Sequence, residues 1–180
     1  MSNPAAAALP VRPPPAIVVM GVSGSGKSAV GGGLARELGL PLLEGDAFHP
    51  KANIDKMSSG TPLTDDDRWP WLDAIAAAIR GAPGGVIVAC SALKRAYRDR
   101  LRAGAGKPVL FVFLDGSQET IAARLQSRKG HFMPPSLLQS QFATLEPPGK
   151  DEPGIVRVSI EPPVEAVVAA ALDGIAAGER

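Results

Sequence analysis

The fold is decided by the stretch Gly21-Val-Ser-Gly-Ser-Gly-Lys-Ser28, which matches the pattern G-x-x-x-x-G-K-[S/T] at every fixed position. It follows the apolar, β-branched run Ala16–Met20, which predicts a buried strand, and it opens a helix predicted over Lys27–Leu38. Glycines let such a loop turn sharply, so that successive backbone N–H groups point at phosphate oxygens. The sequence therefore predicts a phosphate-binding loop, with Lys27 directed at the β and γ phosphates and the Ser28 hydroxyl as a Mg²⁺ ligand.

Further apolar runs follow along the chain, and amphipathic segments lie between them. The runs are Pro41–Leu43, Gly85–Ala89, Val109–Leu114 and Ile155–Ile160. The later helices are predicted over Asp66–Arg80, Leu93–Arg102, Gln118–Lys129 and Pro163–Ala177. Strands that alternate with helices indicate βαβ crossovers and a mainly parallel sheet with helices on both faces. The fold class is therefore α/β.

Composition excludes several classes of protein. The chain has 180 residues, and 19 Lys and Arg against 18 Asp and Glu leave a formal net charge of +1, which argues against a nucleic-acid or acidic-membrane partner. No apolar stretch is long enough to span a membrane. The single cysteine, Cys90, is expected to be a buried thiol and suits a cytoplasmic setting. The Ala- and Pro-rich residues 1–15 are expected to form a disordered arm before a single domain over 16–180.

Candidate acceptor-binding residues follow the predicted strands, because ligands of open α/β sheets bind outside the carboxyl ends of the strands. Asp46 comes just after the second strand, and we expect it to orient or deprotonate an acceptor hydroxyl as that hydroxyl attacks the γ-phosphate. The alternative for Asp46 is a turn or helix-capping aspartate. His49, three residues further on, is either a loop histidine or a substrate ligand.

Two basic segments are candidates for binding anions. The helix predicted over Leu93–Arg102 carries five basic residues and one acidic residue. These form either a solvated face or, through Lys94 or Arg98, a site for an anionic group of the substrate. Arg124 and Arg128 lie four residues apart near the end of a later helix, where cations are favourable in any case. Their helix runs into a basic segment hinged by glycine, which favours a mobile lid over residues 128–140.

Several short segments carry a resemblance to a known family. They are Met20–Ser28, Gly45-Asp46 with His49-Pro50, Asp65–Arg68 with Pro70-Trp-Leu72, Cys90-Ser-Ala-Leu-Lys94 with Tyr97-Arg-Asp99, Arg128-Lys-Gly-His-Phe132, and Ser140-Gln-Phe142 with Thr144-Leu-Glu-Pro147. With these segments the chain resembles the small gluconokinase family, ATP-dependent enzymes related to shikimate kinase and the nucleoside monophosphate kinases. The resemblance extends from about residue 18 to the C-terminal helix.

The resemblance implies a three-layer α/β/α P-loop kinase fold with a five-stranded parallel sheet and a mobile lid. It also implies a homodimer that uses ATP and Mg²⁺ to phosphorylate the C6 hydroxyl of D-gluconate, giving 6-phospho-D-gluconate. The alternatives are a kinase of another small hydroxyl acceptor such as shikimate, or a regulatory module that binds ATP without transferring phosphate. Glu44 stands where related small kinases often have Asp, so the carboxylate that steadies Mg²⁺ is left open.

Together these arguments give one set of candidate site residues. The expected catalytic residues are Lys27, Asp46 and Arg128. The residues expected to hold the nucleotide are Gly21, Ser23, Gly24, Ser25, Gly26, Lys27, Ser28, Arg124 and Arg128. The residues expected to hold the substrate are Asp46, His49, Asn53, Arg68, Lys94, Arg98 and His131. The only expected metal ligand is Ser28.

Overall fold

A computed structural model of the chain describes residues 16–128 and 135–178. The expected N-terminal arm and the central part of the expected lid, including His131, lie outside the described residues. Five strands form a parallel sheet in the order β2-β3-β1-β4-β5. The strands are β1 (Ala16–Met20), β2 (Leu42–Glu44), β3 (Val86–Ala89), β4 (Val109–Asp115) and β5 (Ile155–Ser159).

Within the described residues, seven α-helices connect or follow these strands. They are α1 (Lys27–Leu38), α2 (Lys51–Ser58), α3 (Asp65–Arg80), α4 (Arg95–Ala105), α5 (Gln118–Ser127), α6 (Pro135–Thr144) and α7 (Val164–Gly178). Helices α3 and α4 pack together on one face of the sheet, and α1 and α7 pack together on the other. The predicted α/β class, with three layers and a parallel sheet of five strands, is confirmed.

Strand β1 is central, and its position explains its sequence. All five of its residues are fully buried, because β3 and β4 flank it and helices cover both faces. Val18 belongs to the core beneath α3 and α4, whereas Ile17 and Val19 belong to the core beneath α1 and α7. Since every pairing is parallel, the loops after all five strands emerge at one edge of the sheet.

The structure corrects several predicted boundaries. Helix α4 begins at Arg95 rather than at Leu93, because its N-cap residue Lys94 has extended backbone angles, with φ of −99° and ψ of 148°. Helix α5 ends at Ser127, since Arg128 has extended backbone angles. Helices α2 and α6, and a short 3-10 helix over Gly45–Phe48, were not predicted.

None of the helices in the described part of the chain combines the length and the apolar character needed to cross a membrane.

Candidate active site

A cleft of about 440 Å³ opens at the edge of the sheet where the strands end. Four parts of the chain line it: the phosphate loop with the start of α1, the end of β2 with the turn after it, the end of β3, and the end of α5 with the residue after it. The lining includes Lys27, Ser28, Glu44, Asp46 and Arg128. The two residues on which the sequence argument depends, Lys27 and Asp46, therefore share one cleft.

The phosphate loop has the backbone that its glycines require. Gly24 has φ of +80°, and a Cβ placed on it would lie 2.9 Å from the Leu125 side chain. The Lys27 ammonium donates to the carbonyl oxygens of Gly21 and Val22, at 3.1 and 3.0 Å. The hydroxyl of Ser25 is buried and has no hydrogen-bond partner among the described residues. The loop is thus closed on itself, with polar groups aimed inward.

This loop suits a triphosphate. Helix α1 begins with no acidic residue and no side-chain cap, so its first backbone N–H groups need an acceptor from elsewhere. A phosphate at a helix N-terminus supplies that acceptor and is favoured by the helix dipole. Burial lowers the pKa of Lys27, and the nearby charge of Asp46 opposes this shift. An additional anion beside Lys27 would oppose it further.

The same cleft suits Mg²⁺ through a pair of oxygen atoms. The Ser28 hydroxyl donates to the Glu44 carboxylate at 3.0 Å, so a hydroxyl and a carboxylate already lie side by side. Hard oxygen ligands of this kind are those that Mg²⁺ prefers, with waters and substrate phosphates completing the shell. Across the described residues no group of three His, Cys, Asp or Glu side chains is placed to enclose a metal. Glu44 is therefore the candidate for the carboxylate that the sequence left open.

Asp46 is held at the cleft by a tight approach of backbone to backbone. It lies in the 3-10 helix whose first residue, Gly45, packs against the end of β3. A Cβ on Gly45 would lie 2.6 Å from the carbonyl oxygen of Ala89, so only glycine fits there. The indole N–H of Trp71 donates to the Gly45 carbonyl at 2.8 Å. Helix α3 and strand β3 thus fix the turn that presents Asp46.

His49 is oriented by two neighbours. Its ring stacks on Trp71, with centroids 4.3 Å apart and planes inclined by 13°. The Asn53 amide nitrogen donates to the Asp67 carbonyl at 2.9 Å and lies 3.2 Å from Nδ1 of His49. Because an amide nitrogen only donates, Nδ1 is the acceptor and Nε2 carries the proton. Burial lowers the pKa of His49, which keeps the ring neutral at pH 7.

The expectation for Asn53 changes with this arrangement. Asn53 is 3% exposed, and both of its amide hydrogens are used within the protein. We therefore assign its amide nitrogen to positioning His49, which leaves the side-chain oxygen of Asn53 for the expected substrate contact.

A cationic cluster, whose residues do not line the cleft, lies where α3 meets the start of α4. Tyr97 donates to Asp65 at 2.5 Å, and Arg68 donates to the Tyr97 hydroxyl at 3.1 Å. The Lys94 ammonium lies 3.2 Å from the Asp65 carboxylate. The Arg68 guanidinium and the Lys94 ammonium also lie over the Tyr97 ring, at 5.5 and 5.6 Å from its centroid. Two cations against one carboxylate leave this cluster with a positive charge suited to a second anion.

Arg98, expected to bind substrate, instead lies inside the protein. It is 1% exposed, and its guanidinium donates to both carboxylate oxygens of Glu152, at 2.6 and 2.9 Å. The remaining donors reach the carbonyl oxygens of Ala92, Leu93 and Glu146. No donor is left for a ligand. Both interpretations offered for Arg98, a solvated face and a substrate contact, are therefore wrong, and its role is to hold the loop after β3.

The expected lid cations differ in position. Arg128 lines the cleft, opposite the phosphate loop. Arg124 does not line it, because its guanidinium donates to the carbonyl oxygen of Ile160, just beyond β5. Cys90 is buried as predicted, and burial raises the pKa of its thiol to about 12.

Two groups that the sequence analysis did not assign to the site become candidates in the structure. Glu44 carried a usable signal, since it ends the same strand that Asp46 follows. Asp65 and Tyr97 lie in segments that carry the family resemblance, but by residue pattern alone one fits the first turn of a helix and the other fits an apolar helical stripe. Their pairing spans 32 residues of sequence.

Comparisons with known proteins agree on one family. Residues 17–148 match the family model of an AAA domain. The chain is 56% identical over 149 residues to a gluconokinase of Gluconobacter oxydans, covering 81% of this chain and 82% of that protein. It is 48% identical over 166 residues to a thermoresistant gluconokinase of Escherichia coli, covering 90% and 94% of the two chains.

A solved structure supports the same assignment. The crystal structure of a gluconokinase from Sinorhizobium meliloti superposes with a TM-score of 0.85 at 54% identity, covering 92% of this chain and 94% of that one. Identity at this level over nearly the whole of both chains reflects shared ancestry and not only a shared fold. The protein is therefore a member of the gluconokinase family, with a P-loop kinase fold.

Proposed function

We propose that this protein transfers the γ-phosphoryl group of ATP to the C6 hydroxyl of D-gluconate, giving 6-phospho-D-gluconate and ADP. The observation that carries the proposal is the cleft in which Lys27 and Asp46 face the same space, in a member of the gluconokinase family. A phosphate-binding lysine and a carboxylate in one cleft supply the two requirements of phosphoryl transfer to an alcohol.

The phosphate side of the reaction belongs to the loop and the start of α1. Loop amides and the Lys27 ammonium bind the β and γ phosphates and stabilise the charge that moves as the phosphoryl group transfers. Mg²⁺, which Ser28 would bind directly and Glu44 through water, supplies further neutralisation of that charge when bound. Arg128 reaches the same cleft from α5, where a second cation adds to this stabilisation.

Asp46 takes the role of general base. The C6 oxygen forms a bond to the γ-phosphorus while the bond to the bridging oxygen of ADP breaks, and the hydroxyl proton passes to the Asp46 carboxylate. Asp46 therefore orients the hydroxyl before the transfer and accepts its proton during it. The turn packed against β3 keeps this carboxylate in place.

The cationic cluster binds the carboxylate end of gluconate. Lys94 and Arg68 supply charge for the substrate carboxylate, with Asp65 and Tyr97 holding both cations in position. His49 is placed between the two ends, since the charges of both Asp46 and Arg68 act on its ring. Its neutral Nε2–H is suited to donating to a hydroxyl of the chain.

The experiment is an ADP-release assay with Mg²⁺ and ATP across gluconate, related sugar acids, shikimate and nucleoside monophosphates. We expect gluconate to stimulate ADP formation strongly, with the ¹³C signal of C6 split by phosphorus in the product. Stimulation by shikimate instead would assign another small-molecule kinase. ATP binding without stimulation by any acceptor would assign a regulatory module.

Asp46→Asn provides the matched control in that assay. We expect kcat to fall by about 10²-fold or more, because the amide cannot accept the proton, while ADP binding by calorimetry stays within about twofold. An unchanged kcat would remove Asp46 from the reaction.

The proposal includes a homodimer in the cytoplasm. The family resemblance supports the dimer, and a single buried thiol together with ATP as a substrate suits a reducing compartment. Sedimentation equilibrium measures the mass directly, and a monomer at assay concentration would exclude the dimer.

A further inference from the structure

Gln141, which has no part in the proposed reaction, makes a two-point contact with the phosphate loop. It lies on α6, 118 residues along the chain from its partner Ser23. Its side-chain oxygen accepts from the Ser23 backbone N–H at 2.6 Å, and its side-chain nitrogen donates to the Ser23 hydroxyl at 2.9 Å. A single amide thus binds both the backbone and the side chain of one loop residue.

Ser23 occupies the position at which the loop changes direction. The carbonyl oxygen of Val22, the residue before it, accepts a hydrogen bond from the Lys27 ammonium. The residue after it, Gly24, takes the left-handed conformation and lies against Leu125. Fixing the Ser23 peptide therefore fixes the direction in which the following loop amides point.

The helix that carries Gln141 is itself anchored. Leu138, on the same helix, is buried in the core beneath α1 and α7. Beyond the helix, the Glu146 N–H donates to the Leu93 carbonyl at 2.8 Å, and the Glu146 carboxylate accepts from the Arg95 N–H at 2.9 Å. Gln141 is thus presented from a supported element, which is what a precise contact requires.

We propose that Gln141 is a positioning residue that holds the phosphate loop in its nucleotide-binding conformation. A loop that is already ordered binds its ligand without the free-energy cost of ordering, whereas a loop that samples other conformations binds more weakly in proportion to the time spent in them. The proposal rests on the proposed function only in that this loop binds a nucleotide. It does not depend on which acceptor receives the phosphate.

The test compares Gln141→Met with Gln139→Met. Methionine keeps the length and most of the volume of glutamine but makes neither hydrogen bond. Gln139 is exposed on the same helix and serves as the matched control for helix propensity. We expect the dissociation constant of Mg·ADP, measured by calorimetry, to rise about tenfold in Gln141→Met and by less than about twofold in Gln139→Met. Equal affinities in the two variants would overturn the proposal.

A second measurement separates positioning from general destabilisation. The KM for ATP rises in Gln141→Met while the KM for the acceptor stays within about twofold, whereas a loosened fold would raise both. Combining Gln141→Met with Ser23→Ala gives a double-mutant cycle. We expect the second substitution to add less than it does alone, because the two side chains share one contact. If the two substitutions weaken Mg·ADP binding additively, the contact between Gln141 and Ser23 is not the cause of the weaker binding. Because ADP binds without an acceptor, this test remains valid even if gluconate does not stimulate ADP formation.

Discussion

The phosphate side and the acceptor side of the candidate active site are built in different ways. The phosphate side is a run of consecutive residues, Gly21–Ser28, whose backbone and one lysine form the loop. The acceptor side is assembled from Asp46 and His49 after β2, Arg68 on α3, and Lys94 just before α4. The loop that forms the centre of the phosphate side is local in sequence, although Glu44, Arg128 and Gln141 reach it from elsewhere, whereas the acceptor side has no local centre and exists only once distant elements have packed.

This difference decides what a sequence reveals. In a local loop each residue's neighbours in space are also its neighbours in sequence, so the motif records the geometry. On the acceptor side Tyr97 contacts Asp65 and Arg68, which lie some thirty residues away in sequence. No short sequence motif can therefore predict these contacts. Substitutions on one side at a time test whether the nucleotide and the acceptor bind independently.

Lys27→Ala removes the side chain on which the phosphate side depends most. We expect kcat/KM to fall about 10⁴-fold, because the moving charge loses its closest cation in a partly buried site. Gluconate affinity measured without nucleotide is expected to stay within about twofold, since the acceptor residues do not contact Lys27. Turnover within tenfold of wild type would contradict the role of Lys27, and a large loss of gluconate affinity would contradict the independence of the two sides.

Arg98→Ala tests the buried ion pair that supports the acceptor side. Removing the guanidinium takes two hydrogen bonds from the buried Glu152 carboxylate and leaves Arg102 as its remaining cationic partner, so we expect the free energy of unfolding to fall by about 3 kcal/mol. The matched control is Arg100→Ala on the same helix. Arg100 pairs with Asp73 at the surface, where such pairs contribute little to stability. Urea denaturation of the two variants gives the difference, and similar losses would mean that Arg98 is not the buried support described here.

Much of the fold was predictable because strands β1 to β4 are mainly apolar runs and a glycine or proline directly precedes each of the five strands. Helices α2 and α6 were not, and the reason is visible in what they bury. Asn53 is the only buried residue of α2, so that helix presents no apolar stripe, and α6 buries only Leu138 fully, with Phe142 partly buried against the same core. Where packing uses a single residue or a polar side chain, hydrophobic periodicity carries no signal.

The site was predictable in part for the same reason. Lys27 and Asp46 follow strands directly, so the rule for parallel sheets placed both at one edge. Arg98 was misassigned because its position on a basic helix does not reveal Glu152, which is 54 residues away and provides its buried partner. A cation's role depends on what neutralises it, and that partner is set by tertiary structure.

Lys94→Ala tests the acceptor side alone. We expect the KM for gluconate to rise about tenfold, because one of two cations for the substrate carboxylate is lost, while the KM for ATP stays within about twofold. Lys51→Ala removes an exposed lysine paired with Asp55 on α2 and serves as the control. A rise in both KM values for Lys94→Ala would show that the two sides are coupled, and no rise would place the carboxylate elsewhere.

The titration of His49 gives the smallest effect and the finest test. The chain has two histidines, so His131→Gln leaves a single ring signal to follow by NMR. We expect a pKa below 6.5, because burial disfavours the charged ring, and a neutral form with the proton on Nε2. The unfolded chain then binds more protons than the folded one between the two pKa values, so stability rises with pH across that interval.

Substitutions on either side of His49 then show whether it joins the two halves of the site. The charge of Asp46 raises the pKa of His49, and the charge of Arg68 lowers it. Asp46→Asn is therefore expected to lower that pKa further, and Arg68→Ala to raise it. Shifts of opposite sign require the ring to lie within reach of both charges at once, as a ligand that spans the catalytic carboxylate and the cationic cluster also must. Shifts of the same sign, or none, would separate His49 from one of the two sides.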